Sequence, residues 1–390
     1  MGKNRIVKFR HRVYFTLARP IGFVLGLRYG FRYKMAKLRK EQAYFVMANH
    51  QALLDPALLC MSFRRPLYIV ANDSLFNDTL GSRLLQHCFS PIEKRKAVSD
   101  ASCIRTCARV AREGGSVAIF PEGNRAWADF QFYIDPAICK MVRLLKLPVV
   151  LYNFSGGYGA DPRWGRKPRK GRFVGQVSQI IPYEELAALT DEEMHRKICD
   201  GLRVIDSESG EKFSSPTRAE YLERELFVCP KCGRKNAIRT QGENIICDAC
   251  GLTVEYGEDL LLHCEDPDFR FRRLVDWYNF QIDTIKSGTY TPEDEIFTDE
   301  DVEVRNNDTT AQELLAQGRL ALTGSAISIG DISIGMNDIA AATLVGGTKL
   351  IVNTDSGSYI FHGKERFNAL KYLLMFHVLS ERIDDKYYGF

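Results

Sequence analysis

Two pairs of cysteines constrain this chain more than any other feature. Cys229-Pro-Lys-Cys232-Gly and Cys247-Asp-Ala-Cys250-Gly stand fourteen residues apart, just under the roughly fifteen to twenty usual between the pairs of a four-thiolate metal site. Thiolates at C-x2-C spacing converge on one point, and the glycine after each pair lets the backbone turn tightly enough for amides to face sulfur. Residues 227–256 are therefore predicted to be a zinc ribbon, with Cys229, Cys232, Cys247 and Cys250 as ligands to a structural Zn2+. Four thiolates leave no open coordination position, so the metal is expected to hold the fold and not to take part in a reaction. The other seven cysteines (Cys60, Cys88, Cys103, Cys107, Cys139, Cys199 and Cys264) lack metal-like spacing. They read as reduced, mostly buried thiols, not as the framework of a small secreted protein.

The chain divides around that anchor. Its 390 residues, 45% of them apolar, suffice for several domains with real cores. The net charge of +4 conceals an asymmetry: residues 1–220 carry 36 Lys and Arg against 21 Asp and Glu, whereas 221–390 carry 17 against 28. The basic half points to an anionic partner and the acidic half does not. Residues 206–219 (DSESGEKFSSPTRA) are polar and Ser-rich, which predicts a linker at 206–226. Past the ribbon, 274–285 reads as an amphipathic helix and 291–308 as an acidic connector, together filling 257–308. Short β-rich runs at 318–323, 326–334, 339–345, 349–354 and 359–362 alternate with Gly, Asn and Asp turns, and a helix over 365–379 closes the chain. A β-rich domain is thus expected at 309–390. Strands closed by a C-terminal helix resemble, in topology, a pleckstrin-homology-like domain, which implies a protein or lipid partner for that region.

The first forty residues hold twelve cations and no acid before Glu41. A bilayer span takes about 20 consecutive apolar residues, and the best stretch here, 13–27, is shorter and interrupted by Arg19-Pro20. Neither a transmembrane helix nor a secretory signal is predicted. Apolar clusters between cations fit a segment lying along a membrane interface and meeting anionic headgroups; a solvated basic helix or a targeting peptide are the other readings. The expected location is cytoplasmic, peripheral or monotopic on the inner face of a membrane. A nucleic-acid partner is not expected, because residues 227–256 carry four cations against three acids and so lack the concentrated basic face that phosphate binding needs.

Residues 42–48 (QAYFVMA) read as a buried strand running into Asn49-His50-Gln51-Ala52-Leu53-Leu54-Asp55-Pro56. A second strand, 116–120, runs into Pro121-Glu122-Gly123-Asn124-Arg125. In open α/β sheets the crevice beyond the carboxyl ends of the strands binds ligands. On a continuous helix His50 and Asp55 would stand about 140° apart and could not meet, so His50 is expected in the turn before the helix. There Asp55 can fix the imidazole tautomer and leave the other nitrogen as a base. No G-x-S-x-G elbow accompanies the pair, which favours direct attack by a substrate hydroxyl over a covalent intermediate.

These two blocks resemble the glycerolipid (lysophosphatidate) acyltransferases, whose motifs are N-H-x4-D and F-P-E-G-T-R-S. Residues 49–55 fit the first; 120–125 fit the second with Asn124 for Thr, and Ala126 stands for Ser. The resemblance implies an α/β acyltransferase domain over 1–205, a mixed sheet flanked by helices. It implies acyl transfer from acyl-CoA or acyl carrier protein to a hydroxyl of a lysophosphatidate or related acceptor in phospholipid synthesis, with no catalytic cofactor. His50 would be the general base and Asp55 its orienter. Arg125 suits the acceptor phosphate, Gly123 admits it closely, and Glu122 would hold Arg125, bind a glycerol hydroxyl, or serve locally as a turn carboxylate. In 89–96, either Lys94 or Arg95 would supply a second phosphate cation. The run 163–172, with six cations in ten residues, reads as a solvated loop, a coenzyme A phosphate site or a second lipid contact. The alternative function is a non-catalytic lipid- or partner-binding scaffold that keeps the fold.

Overall fold

The structure, a computed structural model, describes residues 5–39, 41–72, 80–94, 101–308, 312–384 and 387–388. The chain clusters into two units. The first comprises Met1–Ala126, Gln131–Asp161 and Lys170–Glu211, and the second Trp127–Phe130, Pro162–Arg169 and Lys212–Phe390.

The first unit is built on a seven-stranded mixed sheet. Its strands are β1 (Phe31–Tyr33), β2 (Phe45–Ala48), β3 (Leu67–Asn72), β4 (Ile92–Lys94), β5 (Ser116–Ile119), β6 (Val149–Ser155) and β7 (Phe173–Ile181), in the order β1-β7-β6-β2-β5-β3-β4. Strands β2 to β6 run parallel to one another, and β7 returns antiparallel to β6. All four residues of β2 are buried, as a strand covered on both faces requires. Its alternate side chains Phe45 and Met47 join Val117, Val149 and Leu151 in one core. That core is covered by α4 (Ala101–Arg112), α5 (Ala137–Leu145) and α8 (Asp191–Leu202), with α7 (Tyr183–Ala187) leading into α8. Helix α8 starts on a capping box in which the Thr190 hydroxyl and the Glu193 carboxylate exchange hydrogen bonds with each other's backbone. Helices α1 (Phe9–Arg28), α2 (Asp55–Met61) and α3 (Leu80–Phe89) pack together, and α6 (Gly157–Ala160) is a single turn after β6. Cys103, Cys107 and Cys139 lie in the core as expected for inert thiols.

Helix α1 continues through Pro20. His11, Phe15 and Gly26 face inward, while Phe9, Val13, Leu17, Ile21, Val24 and Leu27 are exposed. Among the described residues no helix is long and apolar enough to cross a membrane.

The second unit holds two antiparallel sheets. In the smaller, β8 (Ile238–Gln241), β9 (Asn244–Cys247), β10 (Thr253–Tyr256) and β11 (Leu262–His263) stand in the order β11-β10-β9-β8. Helix α9 (Leu274–Ser287) follows. The larger sheet contains β12 (Glu295–Asn306), β13 (Leu314–Thr323), β14 (Ala326–Ile329), β15 (Ile332–Gly335), β16 (Ile339–Val345), β17 (Lys349–Thr354) and β18 (Gly357–His362), in the order β15-β14-β13-β12-β18-β17-β16. Helix α10 (Ala369–Leu379) comes last, its first turn capped by the Asn368 side chain accepting from the Lys371 amide.

Three expectations change. The stretch 206–226 is not a loose linker: Asp206, Phe213, Ala219, Leu222 and Leu226 are buried, because apolar residues spaced among the polar ones carry it into the interior. The acidic part of 257–308 is not a connector but β12, the longest strand, whose Ile296, Phe297, Val302 and Val304 point inward while acids occupy exposed positions. The run 326–334 is two strands, β14 and β15, divided at Gly330, whose φ of +56° makes the hairpin turn.

Candidate active site

Strands β6, β2 and β5 are adjacent and parallel, so the segments leaving their carboxyl ends emerge along one edge of the sheet. Those segments begin at Asn49, Phe120 and Gly156. The Asn49 side chain donates to the Phe154 carbonyl (2.9 Å) and accepts from the Phe154 amide (2.7 Å). It extends the β2–β6 ladder by one rung while the main chain turns away.

His50 sits in that turn, as its spacing from Asp55 requires. Its Nδ1 lies 3.0 Å from Asp55 Oδ2. The same oxygen accepts from the amides of Gln51 (2.7 Å) and Ala52 (2.8 Å), and Asp55 is fully buried in the first turn of α2. A carboxylate with three donors on one oxygen holds its rotamer, and the imidazole facing it is assigned the Nδ1–H tautomer. The ring stacks obliquely on Phe120, centroids 4.6 Å apart. Its side chain is 19% exposed, and Nε2 has no hydrogen-bond partner among the described residues.

Glu122 takes the local structural role of a turn carboxylate. Its two oxygens accept from the amides of His50 and Phe132, each at 3.0 Å. It therefore fixes the backbone at His50 and does not grip Arg125. Burial pushes its carboxyl up to about 8, helped by the nearby charge of Asp55 and opposed by the two amides. Gly123 adopts φ +68°, and an added Cβ would meet nothing within 4 Å. The glycine is needed for its conformation, and the space beside it is open.

Arg125 comes to the same place. Its Nε donates to the Gln51 carbonyl (3.2 Å) and its Nη2 to the Asp161 carbonyl (2.7 Å), with Asp161 Oδ2 at 3.6 Å from Nη2. Burial draws its pKa down, and Asp161 opposes that shift. Asp161 also accepts from the Leu53 amide (2.9 Å). Gln51 ties the loop further, accepting from the Gly157 amide (3.2 Å) and donating to the Val204 carbonyl (3.3 Å). His50, Asp55, Glu122, Gly123 and Arg125 thus form one cluster. Lys94 does not join it directly: it is exposed at the end of β4, three strands from β2, which is on the order of 14 Å at about 4.8 Å per strand. Arg95, its alternative, lies outside the described residues.

The basic run 163–172 is largely consumed by pairing. Arg163 stacks on Trp127 at 4.1 Å, buried Arg169 stacks on Trp164 at 4.6 Å, Arg166 pairs with Glu365, and Arg172 pairs with Glu211 at 2.9 Å. Lys167 and Lys170 are exposed.

In the second unit the four cysteines converge, all sulfurs lying within 4.8 Å of one another. Cys229 and Cys250 are 3.7 Å apart and Cys232 and Cys247 3.8 Å. A tetrahedron of sulfurs about 2.3 Å from a zinc ion has edges of about 3.8 Å. Gly233 (φ +68°) and Gly251 (φ +75°) make the expected turns. Around the cysteines, Lys231 and Arg239 pair with Asp266 and Asp248.

Residues 31–151 match the family model described as Acyltransferase, a segment that contains every member of the cluster from His50 to Arg125. The chain is 32% identical over 120 residues to the 1-acyl-sn-glycerol-3-phosphate acyltransferase of Borreliella burgdorferi, covering 29% of this chain and 47% of that protein. It is 27% identical over 129 residues to the probable 1-acyl-sn-glycerol-3-phosphate acyltransferase of Mycoplasma genitalium, covering 32% and 48%. The chain thus spans about half the length of the curated relatives it matches. Among solved structures, the 1-acyl-sn-glycerophosphate (LPA) acyltransferase of Thermotoga maritima aligns with a TM-score of 0.43 at 15% identity, over 50% of this chain and 81% of that one.

Proposed function

We propose that this chain, which carries an acyltransferase-family domain over 31–151, moves a fatty acyl group from an acyl thioester to a hydroxyl of a lysophosphatidate or related glycerol-phosphate acceptor. The observation that carries the reading is the 3.0 Å contact of His50 Nδ1 with a buried carboxylate, which turns Nε2 into a base. In the step, Nε2 removes the acceptor hydroxyl proton as its oxygen bonds to the thioester carbonyl carbon. The tetrahedral intermediate then collapses, the C–S bond breaks, and the thiolate takes the proton back from the imidazolium. A thiolate of pKa near 8.5 leaves with little help, so the demanding proton transfer is the first, and Asp55 stabilises the imidazolium it creates. Arg125 receives the acceptor phosphate beside the open space at Gly123. Coenzyme A or acyl carrier protein is the thioester's carrier.

Two further parts support the reading. The apolar face of α1, flanked by exposed Lys8, Arg12 and Arg28, suits burial at a membrane interface, where the lipid acceptor resides. The cysteine quartet fits a structural Zn2+ held by Cys229, Cys232, Cys247 and Cys250, whose chemistry is to cross-link the ribbon.

The test is incorporation of labelled acyl chains from acyl-CoA or acyl carrier protein into lysophosphatidate by the purified full chain on anionic vesicles. His50→Ala is expected to lose about 10²–10⁴-fold in rate, the usual worth of a general base. Undiminished activity in that variant refutes the base assignment. A wild-type chain inactive on every lysolipid and on glycerol phosphate, yet bound to vesicles, is the scaffold outcome.

A further inference from the structure

Asp206 lies outside the family-matched segment, in a stretch whose composition marks it as linker, yet it is 1% exposed. Its Oδ1 accepts from the Gly156 amide at 2.6 Å and its Oδ2 from the Gly159 amide at 3.1 Å. Both amides belong to the tight turn that carries the chain from β6 through α6 to Asp161. The turn packs too closely on its neighbours to admit side chains at Gly156 and Gly157. Gly156 sits at φ +81°, and a Cβ there would come within 1.9 Å of the Arg172 carbonyl oxygen; a Cβ on Gly157 already meets Gln51 at 3.0 Å.

At the far end of the turn, Asp161 makes three contacts with the site: its carbonyl with Arg125 Nη2, its carboxylate with the same nitrogen, and its carboxylate with the Leu53 amide inside the His50–Asp55 loop. A chain of contacts, buried at Asp206 and more exposed at Asp161, thus runs from Asp206 through the glycine turn to the guanidinium. Arg125 has Nε tied to the Gln51 carbonyl and Nη2 to the Asp161 carbonyl, so the orientation of its guanidinium plane depends on where Asp161 stands. A bidentate contact with a phosphate depends on that orientation.

We propose that Asp206 is a positioning residue for the acceptor's phosphate: acting through the 156–161 turn and Asp161, it aims Arg125 at the anion and sets acceptor affinity without taking part in proton transfer. The inference rests on the acyl-transfer reading only in naming a glycerol phosphate as the anion.

The experiment measures binding and turnover separately on the full-length protein. Calorimetric titration with sn-glycerol 3-phosphate, and with lysophosphatidate in detergent micelles, is run on wild type, Asp206→Asn and Asp161→Asn, alongside steady-state kinetics. In Asp206→Asn one of the two backbone amides meets an NH2 group in place of an acceptor. The expected result is a dissociation constant and an acceptor KM each raised about tenfold, the size of effect usual for a residue at one remove from a ligand. The acyl-CoA KM stays unmoved and kcat stays within about threefold. A merely structural role instead lowers the active fraction, so that kcat falls and both KM values hold; that result overturns the proposal. Should Asp206→Asn fail to fold, Asp161→Asn, which keeps an oxygen for the Leu53 amide and loses the charge beside Arg125, must change acceptor affinity while leaving acyl-CoA KM alone, and an unchanged affinity overturns the proposal equally. No binding of either phosphate by wild type also overturns it. Binding that responds to these variants without any turnover supports the proposal and removes the acyl-transfer reading.

Discussion

Replacing Asp55 with Asn removes one charge and almost no shape. Oδ1 of Asp55 is buried and has no hydrogen-bond partner among the described residues, so the new NH2 group occupies that side and the amide oxygen takes the place of Oδ2. There it still accepts from Gln51 N, Ala52 N and His50 Nδ1, which lie at 2.7, 2.8 and 3.0 Å in the native protein. The loop and the imidazole tautomer are retained. The loss is the attraction between the carboxylate and the imidazolium that forms when His50 takes a proton. With charge centres about 4 Å apart and an effective dielectric of about 20, that attraction is about 4 kcal/mol, which converts to about three decades of rate. The assay is acyl transfer to lysophosphatidate between pH 6 and 9, with melting curves on the same samples. Asp55→Asn is expected to lower kcat about 10³-fold, leave both KM values within about threefold, and melt within a few degrees of wild type. A kcat within about tenfold of wild type, in a folded variant, would refute the claim that His50 becomes charged in the rate-limiting step.

Glu122 gives a pH dependence. Its carboxyl, pushed up to about 8 by burial, holds a proton in the fold that the unfolded chain releases near pH 4.3. The stability it contributes is full below about pH 4 and fades as pH rises toward 8. The melting temperature of wild type minus that of Glu122→Gln should therefore fall from pH 5 to pH 8; a constant difference refutes the raised pKa. Gly156→Ala, strained at φ +81° and driven against the Arg172 carbonyl, should cost more than about 3 kcal/mol in urea unfolding. One zinc per chain is expected by elemental analysis, falling to none in Cys232→Ser, and a strong chelator should unfold the ribbon before the first unit. On the exposed face of α1, Leu17→Lys with Ile21→Lys should weaken sedimentation with anionic vesicles at least tenfold while leaving melting unchanged.

How much of this was legible in the residues depends on the kind of constraint. The His50–Asp55 spacing excluded a shared helix and so fixed the turn; the cysteine spacing fixed a hairpin pair of knuckles. Each follows from a distance along the chain. Asp206 was opaque because a carboxylate in DSESGEK looks like every other linker acid until its two amide partners, some fifty residues away, are in place. The choice among the readings of Glu122 was closed for the same reason, since backbone donors leave no trace in composition. Strand β12 was hidden by its charge: the alternation of buried Val302 and Val304 with the less buried Asp301 and Glu303 is the period of a half-covered strand, and the acids outweighed it. Arg125 stood in the recognised motif, but its restraint by Asp161 belongs to a segment beyond it.

The two hydrogen bonds between the Asn49 carboxamide and Phe154 have a consequence for how this site ages and diverges. Spontaneous hydrolysis of that amide, or a single-base change to Asp, would exchange a donor for a negative charge aimed at a carbonyl oxygen. The rung would open, and with it the anchorage of the neighbouring imidazole. Exchange of one nitrogen for one oxygen would thus disable the site while leaving the hydrophobic interior whole.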